Sequence, residues 1–216
     1  MYLVHNGLFS FTERRQDSVA NTTDTYTDDN STRQALENVD AKRTLHEIYG
    51  LFYGALAAPN EAHFSKYLPL IFDAGIAPDE VSEEDAEAVE DNLLSLWNFI
   101  SRWKPDKDPF YFPEADYPDV KEGLLTHLVD TVLMVQYFIT GLNLGGTEEA
   151  DFSEDAIDAM HELETASTRL QKNITLCEAL GPNERVDDPE TTAMVDELED
   201  IVADCISRVT LGLKKA

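Results

Sequence analysis

Apolar residues recur three and four apart along most of this chain, and no convincing run of two-residue alternation interrupts them. That period puts side chains on one face of an α-helix, so the pattern predicts helices and little or no sheet. The first segment, residues 33–57, carries Leu36, Val39, Leu45, Ile48, Phe52 and Leu56, and Pro59 ends it. Gly50 and Gly54 lie within it. Each weakens a helix by about 1 kcal/mol relative to alanine, but each lets a neighbouring helix approach closely. A short apolar piece from Phe64 to Phe72 follows, interrupted by Pro69 and closed by Gly75 and Pro78.

The next helix is the best signalled. Ser82 is a good N-cap, and Glu83, Glu84 and Asp85 place negative charge at the positive end of the helix dipole. Val89, Leu93, Leu96, Trp97, Ile100 and Trp103 then recur at helical spacing until Pro105. A loop rich in proline and aromatics covers residues 104–120. A helix over roughly 120–144 is apolar on most of its circumference, which predicts a central element, and Gly145 and Gly146 supply its stop. Ser153 caps the next helix, whose seam runs Ala156, Met160, Leu163, Ser167, Leu170, Ile174, Cys177. After Gly181-Pro182, Val195, Leu198, Val202, Cys205 and Val209 repeat that spacing, which predicts an antiparallel helical hairpin with both cysteines as small core residues.

The expected fold is therefore all-α: a multi-helix orthogonal bundle over residues 34–146, followed by the hairpin over 153–213, which packs on it or mediates self-association. Residues 1–33 read as a flexible or loosely docked tail. Asn21 to Thr32 is a Thr/Asn/Asp run with no apolar period, and Leu3, Val4, Leu8, Phe9 and Phe11 form a short apolar cluster ahead of it.

Charge changes the picture more than composition does. Forty-three acidic residues against 16 basic ones give a formal charge of −27. Such a field repels phosphate backbones and anionic lipid, so nucleic acid and membrane surfaces are not expected as partners; a protein with a basic surface is. The same excess would also serve solubility alone, or life at high salt. The N-terminus has no basic region ahead of an apolar core and no small-residue cleavage site, and the two cysteines form no disulfide framework. Both features predict a reducing, cytoplasmic setting.

Chemistry is sparse. There is no G-x-S-x-G elbow and no glycine-rich phosphate loop, and neither cysteine belongs to a CxxC. No catalytic group, metal or cofactor is expected. A helical metal-dependent enzyme would have to bring His127, Asp130, Asp158 and His161 together. The His127/Asp130 and Asp158/His161 pairs each share a helix face at three-residue spacing, whereas His46 and His63 have no partner at ligand spacing. The aromatic loop offers Phe110, Tyr111, Phe112 and Tyr117 as candidate partner-binding residues; the other reading folds them back over the bundle as a lid.

The order of several short motifs resembles one family. A helix carries His46, Tyr49-Gly50-Leu51, Gly54-Ala55 and Ala58-Pro59. Tyr67-Leu68-Pro69 follows, then Leu96-Trp97-Asn98, Phe112-Pro113, and an apolar helix ending Phe138-Ile139-Thr140-Gly141-Leu142. Over residues 41–145 this is similar to the YecA/YgfB-like family of small acidic helical bacterial proteins. Tyr67 stands where that family tends to have Trp, and Met134-Val135 where it has Trp-Cys. The resemblance implies an all-α fold, a capacity to form a homodimer, and an adaptor or regulatory role; no cysteine-rich zinc tail is present to carry a metal role across. A looser likeness, to all-helical chaperones of the TorD/NarJ kind, implies binding of a basic leader peptide.

Overall fold

The computed structural model describes Tyr26 and residues 28–72, 81–181 and 189–213. The N-terminal apolar cluster, Gly75, Pro78 and Pro182 lie outside the described residues. Among the described residues seven α-helices run in chain order: α1 Asp29–Asn38, α2 Leu45–Ala57, α3 Leu68–Ile71, α4 Glu83–Ser101, α5 Lys121–Leu144, α6 Glu154–Glu178 and α7 Pro189–Gly212. The described residues contain no strand, only an isolated bridge between Phe152 and Leu213. The all-α class is the observed one.

Two compact units divide the chain, Met1–Lys42 with His63–Phe99, and Arg43–Ala62 with Ile100–Ala216. Within the second unit the α6/α7 hairpin packs on α5, which also packs on α2.

The first unit holds α1, α3 and most of α4. Ser82 caps α4 as expected, its Oγ accepting the Asp85 N–H at 3.1 Å. Val89, Leu93, Leu96 and Trp97 form the buried face of α4, and Phe64 and Tyr67 bring their rings to Trp97 at 5.9 and 5.5 Å.

The single helix expected over 33–57 is two. α1 begins at Asp29, inside the stretch read as loop, because Asp28 caps it by accepting the Ser31 N–H at 2.7 Å. That bond holds the Asp28 carboxyl below its ordinary range. Asp40 then turns into the left-handed region (φ 48°), and the Asp40 and Ala41 N–H groups close α1 on the carbonyls of Glu37 and Leu36. A capping box restarts the chain: Thr44 Oγ1 accepts the Glu47 N–H at 3.3 Å, and Glu47 Oε2 accepts the Thr44 N–H at 2.6 Å.

The second unit is built on α2 and α5, which run in the same direction. Gly50 faces Met134, Gly54 faces Phe138, and His46 faces Asp130, so the two helices advance together four residues at a time. A Cβ on Gly50 or Gly54 would overlap the carbonyl oxygen of Met134 or Phe138, and one on Gly141 the carbonyl oxygen of Leu51. The small residues therefore do what their positions suggest: backbone touches backbone. α2 is the most enclosed helix, with every residue but Leu56 buried. α5 is the one described helix long and apolar enough to cross a bilayer, and here it packs on α2 and α6. Each fully buried Phe52, Phe138, Leu51 or Met134 contributes about 1.5–3 kcal/mol by leaving water. At the end of α5, Gly146 takes φ 73° and Thr147 donates back to the Leu142 carbonyl, the expected stop.

α6 and α7 form the predicted antiparallel hairpin. Ser153 caps α6, its Oγ accepting the Ala156 N–H at 3.2 Å. The buried line on α6 is Ala156, Ala159, Leu163, Ala166, Leu170, Ile174, Cys177. Ala159 and Ala166 replace Met160 and Ser167 of the predicted seam because α6 meets α5 as well as α7. On α7 the predicted residues are all buried, joined by Ile206. Lys121, at the start of α5, donates to the carbonyls of Glu178 (2.8 Å) and Leu180 (2.6 Å) and so satisfies the end of α6.

Candidate functional site

Within the second unit, two places concentrate polar chemistry. The first joins α2, the 104–120 loop, α5 and α7. The Tyr117 hydroxyl donates to Asp130 Oδ2 at 2.9 Å and lies 3.3 Å from His46 Nε2. His46 Nδ1 is 3.5 Å from the same Asp130 oxygen, with side-chain exposures of 7% for His46 and 15% for Asp130. The Tyr117 ring stacks on the His127 imidazole, centroids 4.2 Å apart and planes 11° from parallel. His127 Nε2 in turn meets Glu199 Oε1 at 2.7 Å.

His127 and Asp130 thus do not serve each other as partners. Although they share a helix face, His127 turns to Glu199 on α7 and Asp130 to His46 on α2. His46, which had no partner at ligand spacing in the sequence, is half of the most buried histidine–carboxylate pair described. Asp158 and His161 are exposed on α6. No group of three or more His, Cys, Asp or Glu side chains among the described residues is arranged to hold a metal ion, so the four-residue convergence that a metal enzyme would need is not found.

The aromatic loop folds back on the second unit at Phe110, Phe112 and Tyr117. Phe110 packs on Tyr53 at 4.6 Å and edge-on to Trp103 at 5.5 Å, and Phe112 packs edge-on to Phe110 at 5.0 Å. Tyr53 Oη donates to the Tyr111 carbonyl at 3.4 Å, and Trp103 Nε1 to that of Pro109 at 3.0 Å. Tyr117 is taken up by the network above. Tyr111, 38% exposed, is the most exposed of the four candidate aromatics.

The second place is a shallow, open groove along the hairpin. Glu162 of α6 and Asp196, Glu197, Asp200 and Asp204 of α7 line it, over Ala193 and Ile201. Arg169 pairs with Glu197 at 3.0 Å. Arg208 reaches Asp155 and Glu162, both at 2.8 Å, and these hydrogen bonds raise the guanidinium pKa further, Asp155 first. Asp196 and Asp200 make no ion pair among the described residues. They stand one turn apart, and like charges at that spacing cost a helix about 0.2–0.5 kcal/mol per pair. Beneath the groove lies the Cys205 thiol, pushed up to about 11 by burial first and then by Glu162 and Asp204. Burial also raises Cys177. Both thiols are inert core groups in this setting.

No family model and no curated protein matches the chain. Among solved structures it is similar to the crystal structure of the lpg0076 protein from Legionella pneumophila, with a TM-score of 0.58 and 19% identity over 86% of this chain and 95% of that one. A likeness at that identity establishes a shared helical fold and carries no activity with it.

Proposed function

We infer that this chain is a binding protein and not an enzyme, an adaptor or regulator that takes a basic protein segment along the acidic face of its α6/α7 hairpin. The observation that carries the reading is the line of Asp196, Asp200 and Asp204 at one-turn spacing, with the first two uncompensated. α6 and α7 together hold twelve acidic side chains and three basic ones. A row of carboxylates that repel each other is relieved when cations settle between them, and Lys or Arg side chains one turn apart on a helical segment match the spacing. Ala193 and Ile201 give the groove an apolar floor for the stems of those side chains. Steering by the formal charge of −27 would speed the encounter. The YecA/YgfB-like resemblance points to the same adaptor class, and a basic leader peptide is one segment with suitable chemistry.

Affinity capture with the tagged chain, run beside its Asp196→Asn/Asp200→Asn form at low and high salt, tests this. The expected result is a basic protein held by the wild type at low salt, released at high salt, and lost from the variant. Equal retention by both forms, or an empty capture at both salts, would sink the reading.

A further inference from the structure

We propose that Arg208 and Arg169 bound the acidic groove and leave an opening for two cations one turn apart, so that the partner segment is recognised by an arginine pair at four-residue spacing and not by its total positive charge. This rests on the reading of the groove given above and adds what the groove selects. Thr192, Asp196, Asp200, Asp204 and Arg208 follow one another at four-residue intervals on α7, so their side chains form one row with steps of about 6 Å. The row changes character along its length. Asp196 and Asp200 make no ion pair among the described residues. Asp204 is met by Arg208 Nη1 at 3.4 Å.

Arg208 shows what this wall holds. Its guanidinium is gripped from two helices at once: Nη2 lies 2.8 Å from Asp155 Oδ1 on α6, and Nη1 lies 2.8 Å from Glu162 Oε2. Forked, charge-assisted contacts of this kind are stronger than neutral hydrogen bonds. An incoming cation would have to break them to gain Asp204, and would meet the like charge of Arg208 while doing so. At the opposite end the row reaches Thr192, which carries no charge. On the α6 side, Nη1 and Nη2 of Arg169 both lie 3.0 Å from Glu197 Oε1, so the carboxylate next to Asp196 is occupied as well. What stays open is the Asp196–Asp200 step. Two guanidinium groups four residues apart on a partner helix repeat that step. A third in the same row falls on Thr192 or on the Arg208 charge, whichever way the helix lies.

A ladder of helical peptides tests this with the full chain. One, two or three arginines are placed at four-residue spacing, and matched peptides carry the last arginine on the opposite face, so that net charge is equal. Affinities are read by isothermal titration calorimetry at about 0.15 M salt, where distant charges are screened. The two-arginine peptide should bind about threefold tighter than its matched peptide, the size of one exposed ion pair, and the three-arginine peptide no tighter than its own. In Arg208→Gln the carboxylates of Asp155, Glu162 and Asp204 are released, and the third arginine should then add about threefold as well. Equal gains for the second and third arginines in the wild type, no preference between matched peptides, or a third gain that stays absent in Arg208→Gln would overturn the proposal while leaving an acidic docking face in place. Failure of every peptide to bind would sink the groove reading and this inference with it. The wild-type ladder alone decides the matter should Arg208→Gln fail to fold.

Discussion

Replacing Gly54 by alanine sets two effects of known size against each other. Helix propensity alone favours the change by about 1 kcal/mol. Against it, a Cβ at this position overlaps the Phe138 carbonyl oxygen and comes within 2.9 Å of both the Phe138 carbonyl carbon and the Leu142 nitrogen. All three are backbone atoms of α5, so no side chain can swing aside, and α2 must move away. The neighbouring turns move with it, since Gly50 on Met134 and Gly141 on Leu51 are equally tight. Overpacking of this kind costs about 1–3 kcal/mol at one site, and loosening the adjacent turns adds to it. The net expectation is a loss of about 2–4 kcal/mol, a large part of a typical stability of about 5–15 kcal/mol. Urea unfolding followed by circular dichroism should show a lower midpoint at unchanged slope, and the melting temperature should fall by about 2–4 °C for each kcal/mol lost. A Gly54→Ala protein as stable as the wild type, or more stable, would refute the backbone-on-backbone account of the α2–α5 contact.

Other consequences follow from single contacts. Thr44→Ala removes the capping box that restarts the chain after Asp40, and should cost about 1 kcal/mol in the same urea assay. Cys205 holds its proton up to about pH 11, whereas an unfolded thiol releases it near 9. Its contribution is complete below that lower value and is lost as pH rises through the window between the two. The stability of Cys205→Ala should therefore fall less steeply than that of the wild type between those two pH values, and parallel curves would count against the buried-thiol reading.

What the sequence disclosed was mostly local. The caps at Ser82 and Ser153, the Gly145-Gly146 stop and the α7 seam each depend on residues within a few positions of one another, and all appear in the structure. The break between α1 and α2 was also written locally, in Thr44-Leu-His-Glu47, but Val39 and Leu45 continue the apolar spacing across it and mask the capping box. The polar network was beyond reach for another reason. His46 and Tyr117 are 71 positions apart, as far as α2 is from the aromatic loop, and His127 and Glu199 are separated by 72. Sequence spacing paired His127 with Asp130 because they share a helix face, but that face is wide enough to serve α7 with one side chain and α2 with the other. The residues behind the family resemblance have a plain physical meaning as well. Gly50, Gly54, Phe138 and Gly141 are the points where α2 meets α5, so the pattern records how two helices touch and not what the protein binds.

The account's central claim is that acidity on the hairpin is arranged for a partner and is not spread merely for solubility. Its most direct test is a chemical-shift titration of the isotope-labelled chain with a helical peptide carrying arginines one turn apart. Shifts that concentrate at Glu162, Ala193, Asp196, Asp200 and Ile201, that fade at high salt, and that accompany an affinity about fivefold to tenfold weaker in Asp196→Asn/Asp200→Asn are predicted. Shifts scattered over the whole acidic surface, or an unchanged affinity in that variant, would contradict it.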